Sequence, residues 1–356
     1  MPKSTICLKV PKKTGEKTIA LVNKLKLIDK VLFIQRDESH LFIPLVKQPK
    51  ENELETLKNQ VPELQLTTNV FSEKKSPAET LIQVLKNKLP PNLLANLPKA
   101  LDVIGDIAII EIPTGLEPYE NLIGEAILKT HKNIQTVLAK AGAINGTYRI
   151  RKFTFIAGEH KTQTVHREFS CQYHVDVAKV YFSPRLSHEH KRVASLVQNG
   201  ETVVDLFAGV GPFSVLIGKL NPKVKVYAVD INPQAVELLK VNVRVNRVEN
   251  RVFPIIADAR EIASTKLKGS ADRVIMNLPE TSIDFVDAAC QAIMPEGGII
   301  HFYTFIRSPD SVEKLKQRFF QAVEKNGMKV ASFLCAKSIR ETAPYESQIV
   351  LDAKIA

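Results

Sequence analysis

The chain has no tryptophan, four cysteines among 356 residues, and only 6% aromatics. Each scarcity excludes something. Without Trp, any stacking on a nucleobase must come from Phe, Tyr or His. Cys7, Cys171, Cys290 and Cys335 are far apart and form no CxxC or other metal spacing, so reduced thiols in a reducing, cytoplasmic compartment are expected. No apolar run reaches the roughly 18 residues of a membrane span. The N-terminus carries Lys3, Lys9, Lys12 and Lys13 without an apolar segment behind them, which does not read as a signal peptide. His188 and His190 are two apart, the wrong spacing for one helix face, and no carboxylate pattern completes a metal site.

Acidic residues are also in deficit. Forty-nine Lys and Arg face 38 Asp and Glu, a net charge of +11. An anionic macromolecular partner is implied, because clustered cations displace counterions from phosphates; a basic cytosolic protein with no such partner has the same composition. The imbalance is local. The first 50 residues hold eleven Lys/Arg against four Asp/Glu, and residues 141–192 hold nine against four, with five of the eight histidines.

Four regions are expected. Residues 1–66 read as a small basic α+β domain: a strand at Ile6–Val10, a helix at Thr14–Leu27, and a hairpin of Lys30–Gln35 with His40–Val46. Its basic face suits RNA docking or is simply solvated. Residues 67–78 are polar and read as a linker, with Ser76 and Pro77 placed to start the next helix. Residues 79–178 read as a second α+β domain, with strands around Gly105-Asp106, a long helix from Leu122 to Lys140, an alternating basic strand from Tyr148 to Gly158, and short strands to Phe182. A period-2 strand with a basic face suits phosphate or base contact. From about 179 to 356, strands and helices alternate, which predicts a parallel sheet covered on both faces, with the last two strands as an antiparallel pair at one edge.

That last region carries the central stretch, Val203-Val204-Asp205-Leu206-Phe207-Ala208-Gly209-Val210-Gly211-Pro212-Phe213. A strand that ends in a glycine turn and opens into a helix lets a ligand approach the backbone. Asp230 ends the next strand, 19 positions beyond Gly211, where a nucleotide-binding fold puts the acid that holds a ribose. The third glycine of the dinucleotide pattern is missing, and Asp205 and Phe207 point to S-adenosylmethionine rather than NAD. Two further strand ends carry Asp258-Ala259 and Asn277-Leu278-Pro279-Glu280. In an open parallel sheet all four ends line one crevice. Singly, each of these acids is more often a turn or cap residue; in this order they form a joint signal. Asn277 can hold a planar N–H/C=O edge, and Pro279 stiffens the turn. Enzymes that methylate an exocyclic amine commonly place an aromatic where Glu280 stands, so a ring nitrogen is the better target.

Val180-Tyr181-Phe182-Ser183-Pro184-Arg185-Leu186, the Val203–Phe213 stretch, Val229-Asp230-Ile231-Asn232-Pro233 and Met276-Asn277-Leu278-Pro279 together resemble the archaeal and eukaryotic tRNA (guanine-37-N1)-methyltransferase family. The related wybutosine-pathway aminocarboxypropyl transferases share the cofactor but lack Asn-Leu-Pro at this place. The resemblance implies a class I, Rossmann-like α/β methyltransferase domain behind two RNA-contacting domains, acting as a monomer on tRNA that carries G37. Some archaeal members also accept the wyosine precursor imG-14. It implies Glu189 as general base, Arg149 as support for guanine O6, and Asn277 and Pro279 as holders of the target base. It further implies Tyr181, Asp205, Phe207, Gly209, Gly211, Asp230, Ile231, Asp258, Ala259 and Asn277 around S-adenosylmethionine, with no metal. Two alternatives stay open: another transferase on the same fold, or a tRNA-binding protein that has lost catalysis. Glu189 can also be read as a helix-surface acid pairing with Lys191 or Arg192, and Arg149 as a phosphate contact.

Overall fold

A computed structural model describes residues 3–74, 79–98, 100–142 and 146–356. The chain divides into two compact units, Met1–Glu79 and Thr80–Ala356.

The first unit contains β1 (Lys3–Pro11), α1 (Gly15–Lys24), β2 (Gln35–Arg36), β3 (His40–Pro44), α2 (Glu51–Gln60) and β4 (Gln65–Phe71). The sheet order is β2-β3-β1-β4, with β1 antiparallel to both neighbours. Leu8, Val22, Leu27, Ile43, Leu57 and Val61 fill its core. The expected strand at 30–35 shortens to Gln35–Arg36, because the Asp29 carboxylate accepts from Val31 N and turns the chain there. Residues 67–71, expected as linker, belong to β4. Among the described residues this strand pairs only with β1, so much of it stays partly exposed and polar, and it reads like a loop until Phe71 is seen fully buried. α2 has Leu54 and Leu57 as its apolar residues, too narrow a stripe to announce a helix in the sequence.

The second unit opens with α3 (Leu81–Leu85) and α4 (Pro91–Leu94). Ser76 and Pro77 lie outside the described residues. The cap of α3 is Thr80, which accepts from Gln83 N while Gln83 accepts from Thr80 N. Next come β5 (Asp102–Ile104), β6 (Ile107–Ile110), α5 (Glu120–Thr130), β7 (Thr136–Lys140) and β8 (Phe153–Gly158), in a sheet of order β5-β6-β7-β8 with β6 and β7 parallel. The helix expected over 122–140 is therefore a helix and a strand. Thr136 to Ala139 are all buried between two strands, and a short, fully buried apolar run has the same pattern in either structure. β9 (Gln163–Glu168) and β10 (Cys171–Asp176) form a hairpin. No strand follows at 177–182: Asp176 closes a turn by accepting from Ala178 N through its side chain and from Lys179 N and Val180 N through its carbonyl.

The rest of the chain is a seven-stranded sheet with helices on both faces. In order it runs α6 (Ser187–Leu196), β11 (Thr202–Asp205), α7 (Pro212–Leu220), β12 (Lys225–Asp230), α8 (Pro233–Val245), β13 (Val252–Ile256), α9 (Ala259–Ser264), β14 (Arg273–Met276), α10 (Val286–Ala292), β15 (Gly298–Arg307), α11 (Val312–Lys325), β16 (Val330–Ala343) and β17 (Glu346–Ile355). The strand order is β13-β12-β11-β14-β15-β17-β16. The first five strands are parallel. The last two pair antiparallel as expected, but β17 lies inside and β16 takes the edge, joined by Pro344-Tyr345 alone. One core packs Val193, Phe213 and Leu239 against the sheet; a second packs Ala263, Ala289 and Phe319 on the opposite face. This is the doubly wound Rossmann-like arrangement of class I methyltransferases, and it puts the carboxyl ends of β11, β12, β13 and β14 side by side.

Candidate active site

These strand ends enclose a cavity of about 150 Å³. Phe207 and Gly209 come from the turn after β11, Asp230 and Ile231 from the end of β12, Asp258 and Ala259 from the end of β13, and Asn277 and Pro279 from the turn after β14. Arg149 and Tyr181 close one side. Ten sequence-predicted residues thus meet in one place.

The glycine turn and Asp230 are built together. Asp230 accepts from Gly209 N at 2.7 Å through one oxygen and from Asn232 N at 2.8 Å through the other. Burial pushes the Asp230 carboxyl above its ordinary range, against the pull of these backbone N–H groups. Gly209 has φ +55, a conformation that costs glycine nothing. Asp258 caps α9 by accepting from Arg260 N and Glu261 N. Between these acids the walls are apolar: Phe207, Ile231, Ala257, Ala259 and Phe285, with the Phe207 and Phe285 rings edge to face at 5.1 Å and the Arg260 guanidinium 4.3 Å from the Phe285 centroid.

The end of β14 is stiff and incomplete. The Pro279 carbonyl accepts from Phe305 N and from Thr304 Oγ1, each at 3.1 Å. Asn277 Oδ1 is buried and has no hydrogen-bond partner among the described residues. A buried orphan acceptor is costly, and here it lines an otherwise well-bonded cavity. An acceptor in that position, a flat apolar slot and a carboxylate beside the glycine turn fit the ammonium, adenine and ribose of S-adenosylmethionine.

Arg149 corrects a sequence expectation. It is not on a strand; β8 begins at Phe153, and Arg149 stands in the preceding turn with φ +54, its N–H donating to Gly146 O. A non-glycine residue held there is strained, and such strain concentrates at functional sites. Its guanidinium lies 5.6 Å from the Tyr181 ring centroid and pairs with Glu280 at 3.0 Å. Arg149 and Tyr181 also line an adjoining cavity of about 230 Å³, which carries Lys140, Arg151, Arg185 and Arg340 against Asp102, Glu280 and Glu341.

A profile of the TRM5/TYW2 methyltransferase domain matches residues 164–331, that of the TYW2 N-terminal domain residues 81–162, and that of the tRNA methyltransferase 5 N-terminal domain residues 7–53. The tRNA (guanine(37)-N(1))-methyltransferase Trm5b of Pyrococcus abyssi is 39% identical over 352 residues, 99% of each chain. The chain belongs to the TRM5/TYW2 methyltransferase family. The Trm5b crystal structure from the same organism superposes with a TM-score of 0.75 at 37% identity, covering 99% of each chain. A complex of aTrm5 with tRNALeu gives 0.71 at 34% identity, covering 99% of this chain and 100% of that one.

Three residues that the family resemblance assigns do not line the cavity. Gly211 is the cap of α7 with φ +88, and a Cβ there would lie 2.2 Å from Leu239 Cδ1, so it serves close helix packing. Asp205 is buried behind the glycine turn and accepts from Ser214 Oγ at 2.7 Å. Glu189, on the first turn of α6, is 4% exposed and lines neither cavity. It pairs with Arg192 at 2.8 Å and Lys337 at 2.8 Å and accepts from Tyr303 OH at 3.2 Å. Tyr303 follows Phe302, the register partner of Met276 at the end of β14, after which Asn277 begins the turn. Conversely, Thr147, Tyr148 and Phe285 line the cofactor-side cavity without a sequence signal for the site; they carry no charge or motif, and only the fold brings them there.

Asp205 also shapes the pH dependence of stability. Desolvation, reinforced by the Asp230 charge, raises its carboxyl from 3.8 to about 7, against hydrogen bonds from Ser214 and Phe207 N. An acid with a raised folded-state pKa binds its proton more tightly in the fold. Stability is therefore greatest below about pH 4 as far as this group is concerned, and falls as pH rises towards 7, by on the order of 4 kcal/mol. Asp205→Asn should flatten this decline: the melting temperature of the variant should gain on wild type between pH 5 and pH 8. Parallel melting curves across that range would rule out the effect.

Proposed function

We propose that the protein is a tRNA (guanine(37)-N1)-methyltransferase using S-adenosylmethionine. The observation that carries this reading is the shared wall of Arg149 and Tyr181, which joins the cavity at the strand ends to a basic cavity beside it. Asp230, Asp258, Phe207, Gly209, Ile231, Ala259 and Asn277 hold the cofactor, which supplies a methyl group activated by the sulfonium. Asn277 and Pro279 present the target base.

Guanine N1 bears a proton and is a poor nucleophile at neutral pH, so a carboxylate must remove it. Glu189 takes this role. Lys337 is the most exposed of its three partners, at 45% for the side chain against 21% for Arg192. It is therefore the partner that can return to water as N1–H approaches, without leaving a buried charge unpaired. As the proton leaves, charge moves to O6, where the Arg149 guanidinium stabilises it. Asp205 and Gly211 support this site from behind, as acceptor and packing residue. Mass mapping of nucleosides from tRNA treated with the purified protein tests the reading: 1-methylguanosine at position 37 is expected. An aminocarboxypropyl adduct, methylation elsewhere, or cofactor binding without turnover would replace it, and imG-14 tRNA in the same assay decides the second substrate.

The first unit, with its excess of Lys and Arg, contacts phosphates remote from the reacting base. Because β4 completes its sheet, a truncation must end at Glu79 rather than at residue 66. Deleting it should raise KM for whole tRNA more than for an anticodon stem-loop. The salt dependence should also fall, by roughly one unit of slope for each phosphate that is no longer neutralised. Equal effects on the two substrates would count against a role in reading the tRNA body.

A further inference from the structure

Glu280 stands where enzymes that methylate an exocyclic amine commonly have an aromatic, and its surroundings give it a specific task. It follows Asn277-Leu278-Pro279, whose turn is pinned by the Pro279 carbonyl bonds to Phe305 N and Thr304 Oγ1. One oxygen, Oε1, accepts from Arg149 Nη2 at 3.0 Å. The Arg149 side chain is 14% exposed and carries the Tyr181 ring on another side, whereas Glu280 is 53% exposed and lines the basic cavity. A donor group and an acceptor group thus stand side by side, Arg149 lining both cavities and Glu280 the basic one beside the pinned Pro279 turn.

That pairing matches one nucleobase edge. Guanine presents an acceptor, O6, and a donor, the N2 amine, on either side of N1–H. Adenine presents an amine where guanine has O6, and it has no amine at C2. A guanidinium beside a carboxylate therefore complements guanine and opposes adenine. Resting on the function proposed above, we infer that Glu280 is a specificity-determining residue that accepts from the exocyclic N2 amine of the target guanine while Arg149 faces O6. In the free protein the two side chains satisfy each other. The incoming base edge exchanges that contact for its own, so neither charge is left without a partner.

The test uses full-length tRNA with guanosine or inosine at position 37, since inosine lacks only the N2 amine. Single-turnover transfer efficiency is measured for wild type, Glu280→Ala and Glu280→Gln. Wild type should favour guanosine by roughly 10-fold or more, the usual effect of a hydrogen bond to a charged group. Glu280→Ala should reduce that preference to within about 3-fold, chiefly by losing guanosine efficiency, while Glu280→Gln keeps part of it because its amide carbonyl still accepts. An unchanged preference in Glu280→Ala overturns this inference alone. So does an equal gain on both tRNAs, which would make the Arg149–Glu280 pair a mere latch. Wild-type protein that methylates neither tRNA overturns the proposed function as well. Glu280 is exposed, so the variants should fold; cofactor affinity equal to wild type confirms that the neighbouring site is intact.

Discussion

A Glu189→Gln enzyme should transfer the methyl group roughly 10²–10⁴-fold more slowly in a single turnover, the usual contribution of a positioned base. The amide keeps the shape of the carboxylate and can still accept from Tyr303 OH. Arg192 retains Asp352, whose carboxylate it meets at 2.5 Å and 3.3 Å, and Lys337 can turn to water. The substitution therefore removes basicity with little disturbance of the surrounding network, and binding of cofactor and tRNA should barely change. Rising pH should partly rescue the variant, because more guanine is already ionised at N1. Arg149→Ala should not be rescued in this way, since it removes stabilisation of the charge on O6 rather than the proton acceptor. The measurement is a pH–rate profile for wild type and both variants on pre-bound tRNA, so that product release does not mask the step. Near wild-type transfer by Glu189→Gln would move the role of base to another group.

Asp230→Ala is expected to weaken cofactor binding by about 2–3 kcal/mol, roughly 30- to 150-fold, because charged hydrogen bonds disappear. The structure adds a second consequence. The carboxylate also holds Gly209 N and Asn232 N, so its removal loosens the glycine turn and leaves two backbone donors to find water. Asp230→Asn separates the two roles. Its single carbonyl oxygen can keep one of those donors in place, while the charge offered to the ribose is gone. If the ribose contact dominates, Asn should bind the cofactor nearly as weakly as Ala; if the turn dominates, Asn should recover most of the affinity. Calorimetric titration gives the affinities and thermal melting shows whether the fold survives. Unchanged affinity in Asp230→Ala would remove this residue from the site.

Much of this site was legible in the sequence because strand ends are marked by residues that break strands. Asp230, Asp258 and Asn277 each follow an apolar strand, buried before Asp230 and Asn277 and partly exposed before Asp258, and each stands on the cavity. The misreadings have a common cause. Pattern reports which face is apolar, not what covers it. Thr136 to Ala139 look helical until two strands flank them, and Thr67 to Phe71 look like linker because β1 alone pairs with them. Arg149 reads as part of an alternating strand because Tyr148 and Ile150 alternate with Arg149 and Arg151, yet the period breaks at Lys152-Phe153 and the chain turns at 146–149.

Charge pairing was the least visible. Glu189 has Lys191 and Arg192 close in sequence, and only Arg192 pairs with it; Tyr303 and Lys337 come from strands more than 100 residues away. Behind Arg192, Asp352 also pairs with His301 at 2.6 Å, and hydrogen bonds from His301 and Arg192 hold its carboxyl down to about 2 despite burial. The Arg149–Glu280 contact spans 131 positions. Local pattern was enough for the alternation of strands and helices, and with it the crevice where the cofactor acids gather, because burial period and turn residues are properties of neighbours along the chain. Which carboxylates face that crevice and which are locked behind it depends on how the chain packs. Electrostatic partners are chosen by distance in space, and no local pattern encodes a contact between residues so far apart in the chain.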